Sequence, residues 1–313
     1  MDIHTLLPWL LEGDVAIQYQ AHRDLQGKTL HHLQQRIQAE GWGKAFLDQR
    51  NPNGGWGQDY YQPKWISTHY TLLDLKNLQI SPGVPEVRQT IAKVLQAEKG
   101  PDGGVLPIGS TRRSDVCVNG MFLNFACYFG AAETELHSIV DFLLRERVAD
   151  GGFNCQSNRQ GCVHSSLHST ISVLEGILEY EQNGYTYRLP ELQAAAATGQ
   201  EFILMHRLFK SDKTGAIIDP RMTMLSWPSR WKYDILRALD YFRQVKRPYD
   251  HRMADALQLL CNKRRSDGRW PLQAKHPGAV HFDMEKPGQP SRWNTLRALR
   301  VLTFYPNSCD ELT

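Results

Sequence analysis

A short glycine-rich phrase recurs along this chain and limits its fold more than any other feature. It reads Asn53-Gly54-Gly55-Trp56, Asp102-Gly103-Gly104-Val105, Asp150-Gly151-Gly152-Phe153 and Asp267-Gly268-Arg269-Trp270, with a degenerate copy at Thr214-Gly215-Ala216-Ile217. Glycines 55, 104, 152, 215 and 268 are 49, 48, 63 and 53 residues apart. That period holds two helices and two connections, the signature of stacked helical hairpins. In each copy glycine supplies a positive φ without steric cost, and the following aromatic or aliphatic side chain plugs inward.

Helical patterning flanks every copy. Amphipathic stretches at 33–47, 87–97, 136–145, 201–208 and 253–261 carry apolar residues three and four apart and predict outer helices. More apolar stretches near 15–25, 68–78, 116–129, 167–180, 231–242 and 293–302 predict inner ones. Six inner helices are enough to close a ring. The expected fold is therefore a single all-α domain over 1–313, an (α/α)6 toroid of helical hairpins with Gly-Gly-aromatic turns; an open solenoid of the same hairpins is the alternative.

Composition narrows the function classes. The chain is 41% hydrophobic, ample for a core, but its longest apolar stretches fall short of the roughly 18 to 20 residues that a membrane span needs. Net charge is +3, with no single-sign run beyond Lys263-Arg264-Arg265, so neither nucleic acid nor an anionic membrane is an expected partner. The opening Met1-Asp2-Ile3-His4, followed by Glu12 and Asp14, lacks a basic n-region and predicts a cytoplasmic protein. Cysteines 117, 127, 155, 162, 261 and 309 contain no CxxC pair, which predicts reduced thiols rather than a disulfide framework.

Over about residues 50 to 303 the repeats resemble the prenyltransferase and squalene-cyclase repeat family, whose copies carry the same Gly-Gly-aromatic turn before an inner helix. No Asp-x-Asp-Asp acid phrase of the squalene-type cyclases occurs here. Asp115-Val116-Cys117 is instead similar to the Asp-x-Cys phrase of protein-prenyltransferase β subunits. His69, Cys117 and His168 each stand six residues before Leu75, Leu123 and Leu174, forming one column. The resemblance implies zinc held by Asp115, Cys117 and His168, with an open fourth position that activates a thiol or water. It also implies a diphosphate bound by His69 and Arg112. Gly109 and Val118 depart from the family's basic residue and tyrosine. His164, four residues before His168, is an alternative ligand, and capping or core roles are open for all three residues.

A second constellation comes from a duplicated phrase, Pro228-Ser229-Arg230-Trp231 and Pro290-Ser291-Arg292-Trp293. Serine after proline suits a helix N-cap. Arg230 and Arg292, with Trp231 and Trp293, would face the ring's mouth and could clamp an anion. Leu236-Arg237-Ala238-Leu239 and Leu296-Arg297-Ala298-Leu299 continue the duplication. Acid–base candidates are Asp234 and Glu175, carboxylates inside apolar helices, and Asp283 in the polar loop 275–286, which also holds His281 and Glu285.

The resemblance implies an enzyme of the terpenoid-cyclase or prenyltransferase type acting on an isoprenoid or isoprenoid diphosphate, zinc-dependent if the metal column forms. A non-catalytic toroid holding a ligand or protein, and a carbohydrate-active hydrolase or lyase with paired acids, are the other readings.

Overall fold

The computed structural model describes residues 3–108 and 112–306, so Gly109 and Cys309 lie outside the described residues. Outer and inner helices alternate in six pairs. The outer helices are α1 (Ile3–Leu11), the broken pair α3 (His31–Arg36) and α4 (Gly41–Asp48), α6 (Pro85–Ala97), α8 (Glu133–Arg145), α11 (Leu189–Met205) and α13 (Ala254–Asn262). The inner ones are α2 (Val15–Gln26), α5 (Thr68–Asn77), α7 (Val116–Tyr128), α10 (Leu167–Gln182), α12 (Ile235–Gln244) and α14 (Arg292–Phe304). One short helix, α9 (Ser157–Gln160), sits in the loop before α10. Among the described residues no strand forms, and no helix is long and apolar enough to cross a membrane.

Four of the glycine turns join an outer helix to the next inner one by the same chemistry, whereas at the degenerate copy Ile217 is 49% exposed and does not plug inward. The first glycine is left-handed, with φ of 87° at Gly54, 90° at Gly103 and 99° at Gly151. A Cβ on the second would lie 2.7 Å from Thr68 Oγ1 at Gly55, 2.6 Å from Ser114 Oγ at Gly104 and 2.7 Å from Thr170 Oγ1 at Gly152. Glycine there lets the turn lie directly on the start of the inner helix. The plug residue then donates its backbone N–H to an inner-helix side chain: Trp56 to Thr68, Val105 to Asn119, Phe153 to Thr170 and Trp270 to Thr295. Trp56 and Trp270 also donate Nε1–H to Phe46 and Leu260 carbonyls on outer helices. Full burial of such rings stabilises by about 1.5 to 3 kcal/mol each.

The ring closes, which excludes the open solenoid. Gln20 of α2 donates to the Asn77 carbonyl of α5, and α5 packs on α7. Helices α7 and α10 touch most closely, because Gly120 and Gly176 face one another: a Cβ on Gly176 would lie 2.4 Å from the Gly120 oxygen. Arg237 of α12 pairs with Glu175 of α10 at 2.7 Å. At the seam Arg300 of α14 joins Asp240 of α12 to Asp24 of α2, the latter at 2.8 Å. The six-pair toroid expected from the repeat is the observed architecture.

Three details differ from the sequence reading. The stretch 33–47 is two helices, because Gly41 has φ of 62° and Asp14 accepts the Trp42 N–H at 2.8 Å, turning the chain. Helix α11 starts at Leu189, since the alanine run 194–197 carries the helix without an apolar stripe. Helix α12 begins at Ile235 rather than Trp231, because Asp234 caps it by accepting the Arg237 N–H at 2.8 Å.

Candidate active-site cavity

Polar residues are normally kept out of apolar inner helices, so those that do occur there converge on the ring's centre. They line a cavity of about 310 Å³ entered from the C-terminal ends of the inner helices, where Gln79, Gln182 and Gln244 stand. The wall is made by Arg23 and Asp24 from α2, Lys76 from α5, Asn124 from α7, Glu175 and Glu179 from α10, and Arg237, Asp240, Arg243, Arg297 and Arg300 from α12 and α14. Trp227, Ser229 and Arg230 form the floor.

Every carboxylate in this lining has a cation. Lys76 meets Glu179 at 2.6 Å, Arg23 meets Asp24 at 2.6 Å, and Arg243 meets Asp240 at 3.0 Å. Burial alone would raise the Asp240 pKa, yet Arg300, Arg243 and Arg297 around it hold it well below the usual carboxylate range. Asp24 is likewise lowered, by Arg300 and Arg23 against burial.

The floor is different. Arg230 takes φ of 54° and lays its guanidinium 4.7 Å from the centre of the Trp65 ring, itself at φ of 79°. Two large residues in the left-handed region in contact with each other mark a backbone held against its preference. Arg230 approaches Asp74, on α5 beside the lining residue Leu73, at 3.7 Å. Burial pushes the Asp74 carboxyl up to about 6 despite Arg230. Both Asp74 oxygens, Arg230 Nε, Ser229 Oγ, Trp227 Nε1 and Asn124 Oδ1 are buried without a hydrogen-bond partner. Unsatisfied buried polar atoms cost about 1 to 3 kcal/mol each, so a cluster of them is a functional signal.

The opposite end of the ring, where the inner helices start, is covered by loop 275–286. Trp65 Nε1 donates to the Pro277 carbonyl at 2.7 Å, His281 Nε2 and Thr71 Oγ1 share a hydrogen bond of 3.0 Å, and Phe282 packs on Phe46. Glu285 accepts the Arg292 N–H at 2.6 Å, fixing the loop to the start of α14.

Several expected site residues therefore lie apart from the cavity. Asp234 is the buried cap of α12, also bound by Ser226 Oγ at 2.8 Å. Asp283 pairs with Lys275 in the covering loop. Arg292 donates to the Trp9 carbonyl at 2.9 Å, and Trp293 is stacked against Trp42 and Trp227. Trp231 stays at the rim, with Lys232 Nζ 3.8 Å from its ring centre. Arg112 is exposed and is not among the lining residues. His69 is fully buried, its Nδ1 and the Tyr60 hydroxyl 2.7 Å apart, and burial lowers its pKa to about 3. Glu175 and Arg230 are the expected residues that do reach the cavity.

The metal column does not converge. Asp115 pairs with Arg159 at 2.6 Å, and His168 Nδ1 accepts the Tyr233 N–H at 2.8 Å. Cys117 is joined to Cys155 by a disulfide, a correction to the expectation of reduced thiols; their Cα atoms are 5.7 Å apart, within bridging distance. Among the described residues no group of three or more His, Cys, Asp and Glu could hold a metal ion.

Sequence reasoning missed Asp74, Lys76, Asp240 and Arg300. A usable signal was present: charged residues recur inside the inner helices, and the duplicated Leu-Arg-Ala-Leu phrase places Arg237 and Arg297 in the same cavity.

No family model matches the chain, and no curated protein matches it. Among solved structures it is similar to a variant of the type II terpene cyclase MstE from Scytonema in complex with geranylgeranyl dihydroxybenzoate, with TM-score 0.45 and 13% identity over 96% of this chain and 88% of that one. It is also similar to the GH76 α-mannanase of Bacteroides thetaiotaomicron, with TM-score 0.47 and 12% identity over 96% and 88% of the two chains. Likenesses of this size carry no weight for function, and the toroid stands on its own ring of contacts.

Proposed function

We propose that this protein is an enzyme performing general acid–base chemistry on a small, polar, anionic molecule held in the central cavity. One observation carries the reading: Asp74, a dry carboxyl with a pKa of about 6, lies 3.7 Å from the unsaturated cation Arg230 at the cavity floor. A pKa near neutrality lets a carboxyl serve as a base above about pH 6 and as an acid below it, which efficient proton transfer favours. Arg230 would orient the anion beside it.

The isoprenoid substrate expected from the repeat family finds support here only for a diphosphate head. Leu73 and Leu178 are the sole aliphatic side chains of the lining, and a wall of guanidinium groups opposes both a hydrocarbon tail and a carbocation. The polar wall sits closer to the carbohydrate-active reading. Zinc on Asp115, Cys117 and His168 would require Arg159, Cys155 and the Tyr233 N–H to release them.

The test is turnover. The protein is incubated with sugar acids, phosphorylated polyols and isoprenoid diphosphates, and products are followed by mass spectrometry, with Asp74→Asn beside the native chain. Conversion of one class, lost at least 100-fold in Asp74→Asn, is expected. Equal conversion by the variant would sink the assignment of Asp74, and saturable binding without conversion would make this a binding protein.

A further inference from the structure

Resting on that reading and deepening it, we infer that the central cavity takes a phosphate monoester of a small polyhydroxylated molecule.

Size sets the first limit. A volume of about 310 Å³ stands at the lower end of small-molecule sites, and with a water's share near 30 Å³ it suits a ligand of roughly ten to fifteen non-hydrogen atoms. Charge sets the second. The lining carries seven cations, Arg23, Lys76, Arg230, Arg237, Arg243, Arg297 and Arg300, against the four carboxylates Asp24, Glu175, Glu179 and Asp240. Those carboxylates are already engaged within the wall. Counting Asp74 as ionised still leaves an excess of positive charge. A monocarboxylate compensates one such charge, and a phosphate monoester dianion compensates two while offering three strong acceptor oxygens to guanidinium donors.

The unpartnered atoms supply the third limit. Arg230 Nε and Trp227 Nε1 are donors, and the Ser229 hydroxyl can be one. Arg230 and Ser229 are only 7% and 6% exposed and line the same floor as Trp227, so the floor residues together hold three unpartnered donors. Asn124 Oδ1, 3% exposed as a residue, is an acceptor without a donor, and the mouth adds the amides of Gln182 and Gln244. A phosphate has no hydrogen to give Asn124 when fully ionised, whereas a hydroxyl does. A hydroxyl-bearing ester satisfies both sets at once. Trp227 is stacked on Trp293 at 4.5 Å and lies under Arg297 at 5.2 Å, so its faces are taken up and give a sugar ring no surface to stack on.

Calorimetric titration of the full chain with glucose 6-phosphate, glycerol 3-phosphate, inorganic phosphate, glucose, glucuronate and geranyl diphosphate tests this. Expected is a phosphate ester bound at least tenfold tighter than inorganic phosphate, glucose or glucuronate. Geranyl diphosphate should show no advantage over inorganic phosphate. Arg230→Gln should weaken the ester at least tenfold, and Ser229→Ala, which keeps the charge network and serves if Arg230→Gln fails to fold, should weaken it about two- to tenfold. Tighter binding of glucuronate or geranyl diphosphate, equal binding of ester and inorganic phosphate, or no binding at all would overturn the inference. Ester binding without turnover would leave the ligand assignment standing and defeat only the enzymatic reading. Turnover of an unphosphorylated substrate would do the reverse.

Discussion

Arg230 comes within 3.7 Å of Asp74 without donating a hydrogen bond to it, and neither oxygen of Asp74 has another partner. The pair is attractive yet unsaturated, in contrast to the tight ion pairs that fill the wall above it. Its position follows from the divergence of one duplicated phrase. In Pro290-Ser291-Arg292-Trp293 the serine caps α14, accepting the Asn294 N–H at 2.9 Å, and Arg292 points away to Trp9. In Pro228-Ser229-Arg230-Trp231 the cap has passed to Asp234, Ser229 Oγ is without a partner, and Arg230 turns left-handed over Trp65.

Asp74 makes stability depend on pH in a defined direction. Its folded pKa of about 6 lies above the ordinary 3.8, so between these values the folded state binds the proton more tightly than the unfolded chain. Stability therefore declines as pH rises from about 4 to 6, by about 3 kcal/mol in all. Asp74→Asn should remove this decline and leave the variant relatively more stable at pH 7. Urea unfolding from pH 4 to 7 checks it; parallel curves for the two proteins would contradict it.

The seam behaves oppositely. Asp240 has a lowered folded pKa, so its contribution is complete above the ordinary carboxylate range and is lost as pH falls through that range and below. Arg300→Met leaves Asp24 and Asp240 short of a shared partner and should cost about 3 to 5 kcal/mol at pH 7. A double variant that also carries Asp240→Asn should lose less than the sum of its single changes, read from denaturant midpoints.

Alanine should fail at the α7–α10 contact although it favours helix. A Cβ on Gly120 would meet Ser172 O and Val173 Cα at 2.7 Å, both backbone atoms. Gly120→Ala is expected to destabilise by about 1 to 3 kcal/mol, more than offsetting the gain in helix propensity of about 1 kcal/mol. An unchanged or raised melting temperature would rule out the close approach.

The covering loop depends on one glycine. Gly278 has φ of 140°, and a Cβ there would lie 2.4 Å from Trp65 Nε1. Gly278→Ala should break the Trp65–Pro277 hydrogen bond, loosen loop 275–286 and make it the preferred site of limited proteolysis. Cleavage confined to other loops at the native rate would argue against the strap.

The toroid was legible because its instructions are local and repeated: a left-handed glycine, a second glycine under the inner helix and a plug residue at hairpin spacing. The site was not, for two physical reasons. Residues such as Asp74 and Lys76 read as interruptions of an apolar helix until five other inner helices are arranged around them. Equal height along the inner helices, which aligned His69, Cys117 and His168 on paper, does not bring side chains within bonding distance. Each turned to a nearer partner: Tyr60, Cys155 and the Tyr233 backbone. The two arginine phrases match over four residues, but the first stands two residues farther from its Leu-Arg-Ala-Leu, and that added length holds the Asp234 cap that separates their fates.

The bridge from Arg300 to Asp24 spans 276 residues of chain. Contacts between neighbouring repeats, such as those of α7 with α10 and of α10 with α12, can form while the remainder is still unfolded, so hairpins can accumulate one upon another. The last gap closes only when both ends of this arc meet, against the full loop entropy and with charges that must shed water together. Completion of the circle is thus the natural slow step of folding, and the cavity comes into existence with it rather than before it.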